Sequence, residues 1–175
     1  LIIMNLYHFI DNIPNFPKKG INFKDIGPVL ESPDALKKVK ELFLDIAKKY
    51  KIDLIGGLDA RGFLFSTLIS ENLGIGSFMI RKFNKLPGDL VEKSYSLEYG
   101  TSTLSVQKKR NLKNKNIVLI DDLLATGGTL KCAEDLVLSC QGNVVASFVL
   151  IELSSLMGRN LLSSPLHSLL QYNED

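Results

Sequence analysis

Two adjacent aspartates, Asp121 and Asp122, stand between an apolar segment and a loop of small residues. This phosphate loop consists of Ala125, Thr126, Gly127, Gly128 and Thr129. Its two glycines have backbone amides that can close on an anion, and its two threonines can donate hydroxyl protons. The neighbouring carboxylates can accept hydrogen bonds from the vicinal hydroxyls of a ribose and can attract a divalent cation. The combination predicts a site for a ribose 5′-phosphate. A nucleotide P-loop is excluded, because its glycine spacing and following lysine are missing.

A simpler alternative is that one of the two aspartates only caps the turn that follows it. The flanking segments favour the binding site. Residues 117–120 are apolar on both faces, as expected of a fully buried strand, and residues 128–140 have a helical pattern. In open α/β sheets, ligands bind at the carboxyl ends of the strands. We therefore expect the acids at the end of a buried strand and the phosphate loop at the start of a helix.

Strand-like and helical segments alternate along the rest of the chain. Ser32 is a predicted helix N-cap with Pro33 in the first turn, and further helices are expected over residues 63–73 and 128–140. Buried strands are expected over residues 52–58, 77–80, 117–120 and 144–150, and a β-ribbon over residues 94–98 and 103–107. This alternation predicts an α/β fold with a mainly parallel sheet flanked by helices.

Composition excludes several classes of protein. The 175 residues include 21 basic and 19 acidic side chains, a net charge of +2 that predicts no nucleic-acid or membrane partner from bulk electrostatics. The two cysteines, Cys132 and Cys140, form neither a disulfide framework nor a zinc-binding pattern. No apolar run approaches the ~18 residues that a membrane span needs. We expect a cytoplasmic protein of one domain, residues 1–175.

Several further motifs follow one another from Asn15 to Tyr172 and, with the phosphate loop, resemble those of the type I phosphoribosyltransferases. The sequence Leu-Leu-Ala-Thr-Gly-Gly-Thr at residues 123–129 is similar to that of the adenine-using members of this family. The other matching segments are residues 15–26, 58–63, 81–88, 96–100 and 168–172. The resemblance covers nearly the whole chain.

The resemblance implies a reaction and a set of site residues. Adenine and phosphoribosyl pyrophosphate would give AMP and pyrophosphate, with Mg2+ held mainly by the substrate rather than by a dedicated protein cage. The phosphate loop would bind the 5′-phosphate, and Asp121 and Asp122 the ribose and metal. The residues assigned to pyrophosphate are Asp59, Ala60, Arg61, Arg81, Lys82 and Lys85. The peptide between Asp59 and Ala60 is often cis in this fold.

The remaining implied roles concern the base and a mobile lid. An amino-terminal hood, about residues 1–30, would bind adenine through Asn22, Phe23 and Lys24. A lid, about residues 81–107, would close over the pyrophosphate and exclude water. Glu98 would exchange a proton with the purine ring and, with Arg61, act in catalysis, while Tyr99 would pack on the closed lid. Taken without the resemblance, Arg61 could form a surface salt bridge, Glu98 could face solvent, and the cations could belong to a solvated loop.

Three positions depart from the family pattern. Lys24 stands where arginine is common, which alters any bidentate or stacked contact near the base, and Ser102 and Ser105 stand where acids are common. Two other functions remain open at this point: a regulator of the same fold that binds a nucleotide or phosphoribosyl pyrophosphate without turnover, and a transferase for another base. The resemblance also implies a homodimer.

Overall fold

The computed structural model describes residues 4–96 and 100–173, so Glu98 and Tyr99 lie outside the described residues. The strands are β1 (Asp11–Pro14), β2 (Asn22–Asp25), β3 (Leu54–Leu58), β4 (Gly76–Lys82), β5 (Leu90–Ser96), β6 (Thr101–Gln107), β7 (Asn116–Leu124), β8 (Asn143–Leu153) and β9 (Leu166–Tyr172). The α-helices are α1 (Gly27–Glu31), α2 (Pro33–Ala47), α3 (Gly62–Leu73) and α4 (Gly128–Ser139). Short 3-10 helices span Leu6–Phe9, Ser154–Leu156 and Gly158–Leu161.

The central sheet has the strand order β5-β6-β4-β3-β7-β8-β9. Strands β4, β3, β7, β8 and β9 run parallel to one another, whereas β6 is antiparallel to both β4 and β5. A separate two-stranded sheet pairs β1 with β2 in the segment expected to form the hood. The predicted α/β class, with a mainly parallel sheet between helices, is confirmed.

Two hydrophobic cores cover the two faces of the sheet. On β7, Val118 and Ile120 belong to one core, and Ile117 and Leu119 belong to the other. The first core includes the stacked rings of Phe43 and Phe148, whose centroids are 5.8 Å apart, and the second packs against α4. The continuous apolar run of β7 is therefore explained by burial on both faces.

The predicted start of α2, with Ser32 as its N-cap, is confirmed by a side-chain hydrogen bond. Ser32 is the N-cap, and its hydroxyl oxygen accepts a hydrogen bond from the Ala35 amide at 3.2 Å. Proline is tolerated in the first turn because its missing N–H has no partner there in any case. Within the described residues, no helix has both the length and the apolar character needed to cross a membrane.

The strand boundaries differ from the prediction in three places. Strand β7 continues through Leu124, so Asp121 and Asp122 lie inside the strand rather than after it. Strand β5 begins at Leu90, before the predicted ribbon strand of residues 94–98, because it pairs along its whole length with β6. Strand β9 was not predicted as a strand, although its motif was recognised, and it forms the sheet edge beside β8.

Candidate active site

A cleft of about 440 Å³ opens at the carboxyl ends of β3 and β7. It brings together predicted residues from three separate segments of the chain. These are Asp59, Ala60 and Arg61 after β3, Lys82 at the end of β4, and Asp121 and Asp122 in β7 with the whole phosphate loop that follows this strand. Tyr95 and Ser102 of the β5–β6 ribbon complete one wall. Groups suited to an anion and groups suited to a sugar thus face one space.

The two aspartates are held in a site of low solvent access. Asp122 is 4% exposed, and its Oδ2 atom lies 2.9 Å from Nη2 of Arg61 but accepts no hydrogen bond from the described residues. Burial raises the pKa of Asp121 well above its usual value, and the charge of Asp122 raises it further. Burial also raises the pKa of Asp122, while Arg61 acts in the opposite direction. Paired acids in such a site favour a ligand that brings hydroxyl donors or positive charge.

Gly62 allows Arg61 to lie beside the acids. A side chain at Gly62 would run into the carbonyl oxygen of Ile120 and the backbone of Asp121, so only glycine lets the start of α3 approach β7 this closely. In the Arg61-Gly62 pair, the arginine thus supplies a positive charge and the glycine allows the close packing of α3 against β7. The guanidinium of Arg61 also lies 5.1 Å from the ring centroid of Phe23 in β2, which connects the cleft to the hood.

All five members of the phosphate loop line the cleft, namely Ala125, Thr126, Gly127, Gly128 and Thr129. The loop leads into α4 through Gly127, whose φ of 87° is in the left-handed region that favours glycine. The first amides of a helix have no acceptor within the helix and point toward its amino terminus, where an anion is stabilised. Thr129 Oγ1 lies 2.9 Å from the hydroxyl of Tyr95, which joins the ribbon to the loop. Sequence reasoning did not select Tyr95, because only the folded ribbon brings it over α4.

The pyrophosphate candidates divide into two groups. Asp59, Ala60, Arg61 and Lys82 line the cleft, and the Asp59–Ala60 peptide is cis, as the resemblance implies. Arg81 instead donates from Nε to Asp59 Oδ2 at 3.1 Å, and its Nη1 donates to the carbonyl of Lys85 at 3.4 Å. Arg81 and Lys85 are not among the residues that line the cleft in this structure.

The base candidates lie in the small β1–β2 sheet, outside this cleft. Lys24 is 4% exposed; its Nζ donates to Asn12 Oδ1 at 2.6 Å and lies 4.3 Å from the ring centroid of Tyr172. The Lys24 ammonium is therefore already engaged by Asn12 in β1 and by the ring of Tyr172 in β9. The side-chain Oδ1 of Asn22 is buried and accepts no hydrogen bond from the described residues, so it is an acceptor that a ligand could satisfy.

The serines that depart from the family pattern occupy different surroundings. Ser105 is buried in β6 and donates to Glu92 Oε1 on β5 at 2.9 Å, whereas Ser102 lines the cleft. The expected catalytic Glu98 and lid residue Tyr99 lie just beyond β5, outside the described residues.

The described residues include no group of three or more His, Cys, Asp or Glu side chains that could hold a metal by themselves. The donor set nevertheless fits Mg2+. Asp121 and Asp122 supply the hard oxygen atoms that this ion prefers, and one of these atoms, Asp122 Oδ2, is buried without a hydrogen bond. Mg2+ commonly takes one or two carboxylates and completes its shell with water and substrate phosphates.

Comparison with known proteins independently supports the resemblance to the phosphoribosyltransferases. The phosphoribosyl transferase domain family matches residues 26–159. The adenine phosphoribosyltransferase of Mus musculus is 45% identical over 168 residues, which cover 94% of this chain and 93% of the mouse protein. That of Ureaplasma parvum serovar 3 is 43% identical over 163 residues, covering 93% and 94% of the two chains.

A solved structure shows the same architecture. The adenine phosphoribosyltransferase from Thermoanaerobacter pseudethanolicus superimposes with a TM-score of 0.93 at 41% identity, covering 95% of this chain and 98% of that one. Because fold, sequence identity and coverage agree over almost the whole chain, the protein belongs to the adenine phosphoribosyltransferases, the type I phosphoribosyltransferases that convert adenine and phosphoribosyl pyrophosphate into AMP and pyrophosphate in purine salvage.

Proposed function

We propose that the cleft at the carboxyl ends of β3 and β7 is the place where this chain carries out phosphoribosyl transfer to adenine. The observation that carries the proposal is the convergence of three kinds of group on one cleft: a glycine-rich loop at a helix start, the adjacent carboxylates of Asp121 and Asp122, the second of them buried, and the cations Arg61 and Lys82. These are the groups that a 5′-phosphate, a ribose and a pyrophosphate require, respectively.

Each part of the sugar substrate has a partner in this arrangement. The backbone amides of the phosphate loop and the hydroxyls of Thr126 and Thr129 bind the 5′-phosphate. Asp121 and Asp122 accept hydrogen bonds from the ribose hydroxyls, which relieves the cost of burying two neighbouring acids. Arg61 is directed at the pyrophosphate together with the lysine at the end of β4. As the bond from C1′ to pyrophosphate loosens, negative charge grows on the leaving group, and preorganised cations there lower the barrier most.

The metal has a supporting role in this proposal. Asp121 and Asp122 would hold Mg2+ together with substrate oxygens, and the ion would supply neutralisation of the pyrophosphate charge. The protein itself would stabilise the negative charge that develops on the pyrophosphate through Arg61. The ion pair with Asp122 holds this side chain in the cleft in the absence of substrate.

Adenine is assigned to the hood, with Asn22 and Lys24 offering main-chain groups and Phe23 an aromatic face. An exocyclic amine needs an acceptor and a ring nitrogen needs a donor. A 6-oxo purine reverses both needs and would leave buried groups unpaired, so it is rejected. The unsatisfied Oδ1 of Asn22 supports a polar ligand at this strand.

Residues 81–107 are proposed to act as the lid. Glu98, which follows β5 in the sequence, exchanges a proton with the purine ring as the glycosidic bond forms, and Tyr99 packs on the closed lid. Support for a lid comes from Tyr95 on β5, whose hydroxyl already contacts Thr129 of the phosphate loop. Closure would exclude water and limit hydrolysis of the sugar phosphate.

The cellular setting and the assembly are also proposed. A cytoplasmic location is supported by Cys132 and Cys140, which form no disulfide. A homodimer is supported by large apolar side chains that the single chain leaves about half exposed, namely Leu64, Met79 and Phe83. The chain as a whole is treated as one domain, with the hood and the lid as its parts.

The double variant Asp121→Asn/Asp122→Asn tests the proposed site. It keeps side-chain volume and removes both charges, and we expect kcat/KM for AMP formation to fall by at least about 10²-fold, roughly 2.7 kcal/mol. The control is Asp45→Asn, on the exposed face of α2, which should retain wild-type kinetics. Kinetics of the double variant within a factor of about two of wild type would remove the aspartates from the site.

A further inference from the structure

A polar cluster outside the cleft centres on Glu152, near the carboxyl end of β8. Glu152 is only 2% exposed and follows the buried apolar run of residues 148–151 in β8. Its two carboxylate oxygens accept hydrogen bonds from Nε and Nη2 of Arg159 at 2.7 and 2.6 Å, a bidentate pair. Ser168 Oγ and Gln171 Nε2 of β9 donate to the same carboxylate at 2.6 and 3.3 Å. None of these residues lines the cleft.

Arg159 follows Gly158, and Gly158 is pressed against the phosphate loop. A Cβ atom at Gly158 would overlap the carbonyl oxygen of Ala125 and come within 2.9 Å of the amide nitrogen of Gly127. A Cβ atom at Gly127 would in turn overlap the carbonyl oxygen of Gly158. The two glycines therefore place their backbones in direct contact, and any movement of Gly158 must change the space available to residues 125–127.

The segment that carries Gly158, residues 154–164, is fastened on both sides of this contact. On one side, Arg159 is paired with Glu152. On the other, the buried carboxylate of Glu134 in α4 accepts hydrogen bonds from the amides of Ser163 and Ser164 at 2.8 and 2.9 Å and from the Ser164 hydroxyl at 2.6 Å. We call residues 154–164 the bracing segment. It joins the end of β8 to the helix that the phosphate loop enters.

We propose that Arg159, through its bidentate pair with Glu152, is a positioning residue for the phosphate loop: the pair fixes Gly158 against Ala125 and Gly127, so that the loop amides keep the arrangement that binds the 5′-phosphate. The inference rests on the phosphate-binding role proposed above for residues 125–129. Arg159 itself does not touch the ligand. Its effect should appear in affinity for the phosphorylated sugar and not in recognition of the base.

A purely structural role makes a different prediction. If the pair serves only to neutralise the buried Glu152, its removal lowers the stability of the fold but leaves the affinity of the remaining folded protein unchanged. His167→Gln is the matched control, because His167 lies next to Ser168 on β9 but its Nε2 forms its partly buried hydrogen bond, at 2.6 Å, with the Tyr50 hydroxyl and not with Glu152 or Arg159. The variant therefore removes a partly buried tertiary hydrogen bond of β9 and leaves the Arg159–Glu152 pair in place.

The experiment measures the Kd of ribose 5-phosphate by titration calorimetry, together with steady-state KM values for phosphoribosyl pyrophosphate and adenine, in wild type, Arg159→Met, Arg159→Lys and His167→Gln. Urea unfolding of each variant gives the folded fraction under assay conditions. We expect Arg159→Met to raise Kd and the KM for phosphoribosyl pyrophosphate by roughly 5- to 30-fold, with the KM for adenine unchanged. Arg159→Lys should be intermediate, because lysine keeps the charge but not the bidentate geometry.

The outcomes distinguish failure of the positioning role of Arg159 from failure of the proposed phosphate-binding role of residues 125–129. A folded Arg159→Met protein with the wild-type Kd, or an equal rise in His167→Gln, overturns the positioning role alone. Wild-type protein that fails to bind ribose 5-phosphate overturns the proposed phosphate role and this inference with it. If Arg159→Met does not fold, Arg159→Lys decides: a raised Kd supports the positioning role and an unchanged Kd overturns it.

Discussion

Arg61 illustrates how single residues prepare this site before any substrate is bound. Its guanidinium is placed between the buried carboxylate of Asp122 and the ring of Phe23, and the absence of a side chain at Gly62 makes this placement possible. An arginine held in this way would lose less conformational entropy on binding pyrophosphate, the role proposed for Arg61. The sequence shows the charge at residue 61, but only the structure shows what holds it in place.

Glu98 provides the most specific test at the level of one residue. If it exchanges a proton with the purine ring, Glu98→Ala should lower kcat by roughly 10²-fold or more and leave the KM for phosphoribosyl pyrophosphate near its wild-type value. Initial rates of AMP formation at varied sugar phosphate measure both constants. The control is Glu92→Ala on β5, whose carboxylate contacts Ser105 and does not line the cleft. A variant whose main defect is a raised KM would assign Glu98 to binding.

Lys24 shows how a departure from the family pattern is accommodated. The lysine ammonium donates to Asn12 and lies over the ring of Tyr172, so it ties the hood strand β2 to β1 and to the end of β9. A compact ammonium can fill this role without the planar fork of an arginine. The substitution thus affects how the hood is held, while the main-chain groups assigned to adenine are the same for either residue.

At the level of elements, α4 is anchored by Glu134. Its buried carboxylate accepts three hydrogen bonds from Ser163 and Ser164, so Glu134→Gln would place an amide donor against backbone donors. We expect the free energy of unfolding to fall by about 2 kcal/mol, measured by urea denaturation. The neighbouring Asp135→Asn is the control, because its side chain is more exposed and pairs with Lys131; a change within about 0.5 kcal/mol is expected. Equal effects of the two variants would contradict the anchoring role.

Strand β9 carries a pH-dependent contact. Burial lowers the pKa of His167, and the positive charges of Lys49 and Arg159 lower it further. Below the usual pKa of histidine, the unfolded chain therefore takes up a proton more readily than the folded chain, and stability is lost as the pH falls through that range. Above it, His167 is neutral in both states and the contribution is complete.

We accordingly expect wild-type protein to lose more stability than His167→Gln when the pH is lowered from about 7.5 to about 5.5. Thermal unfolding at the two pH values measures this difference. His8→Gln, which replaces the exposed histidine, should behave as wild type. Equal losses of stability in wild type and His167→Gln over this pH range would show that the Tyr50–His167 contact does not cause the loss of stability at low pH.

The elements that could be predicted from sequence are those whose signals are local. The cap of α2 at Ser32, the apolar run of β7 and the glycines of the phosphate loop each depend on neighbouring residues, and the structure has them where expected. The bracing segment could not be predicted, because the contact of Gly158 with Gly127 and the pairing of Arg159 with Glu152 exist only after the chain has folded. Tyr95 was missed for the same reason.

On the scale of the whole molecule, two faces of one sheet serve different purposes. One face packs against α2 and α3 and contacts the amino-terminal segment through Leu6, Ile10 and Ile26, while the other packs against α4 and includes side chains of the β5–β6 ribbon. The cleft lies at the strand ends between these two groups of elements. The parts of the molecule proposed to bind the base and the sugar phosphate therefore pack on the same sheet.

The proposed homodimer is tested by molar mass in solution. Light scattering after size-exclusion chromatography should give twice the 19.4 kDa of one chain. Phe83→Asp, which places a charge on a side chain that is 57% exposed, should shift the mass toward one chain if this surface is the interface. A wild-type mass of one chain at micromolar concentration would contradict the dimer.

The most direct measurement is product formation by the purified protein with phosphoribosyl pyrophosphate, Mg2+ and one base at a time: adenine, hypoxanthine, guanine or orotate. We expect AMP and pyrophosphate in equal amounts from adenine, and no nucleotide from the other three bases. Binding of phosphoribosyl pyrophosphate without product from any base would contradict it and indicate a regulator that keeps the fold without the reaction.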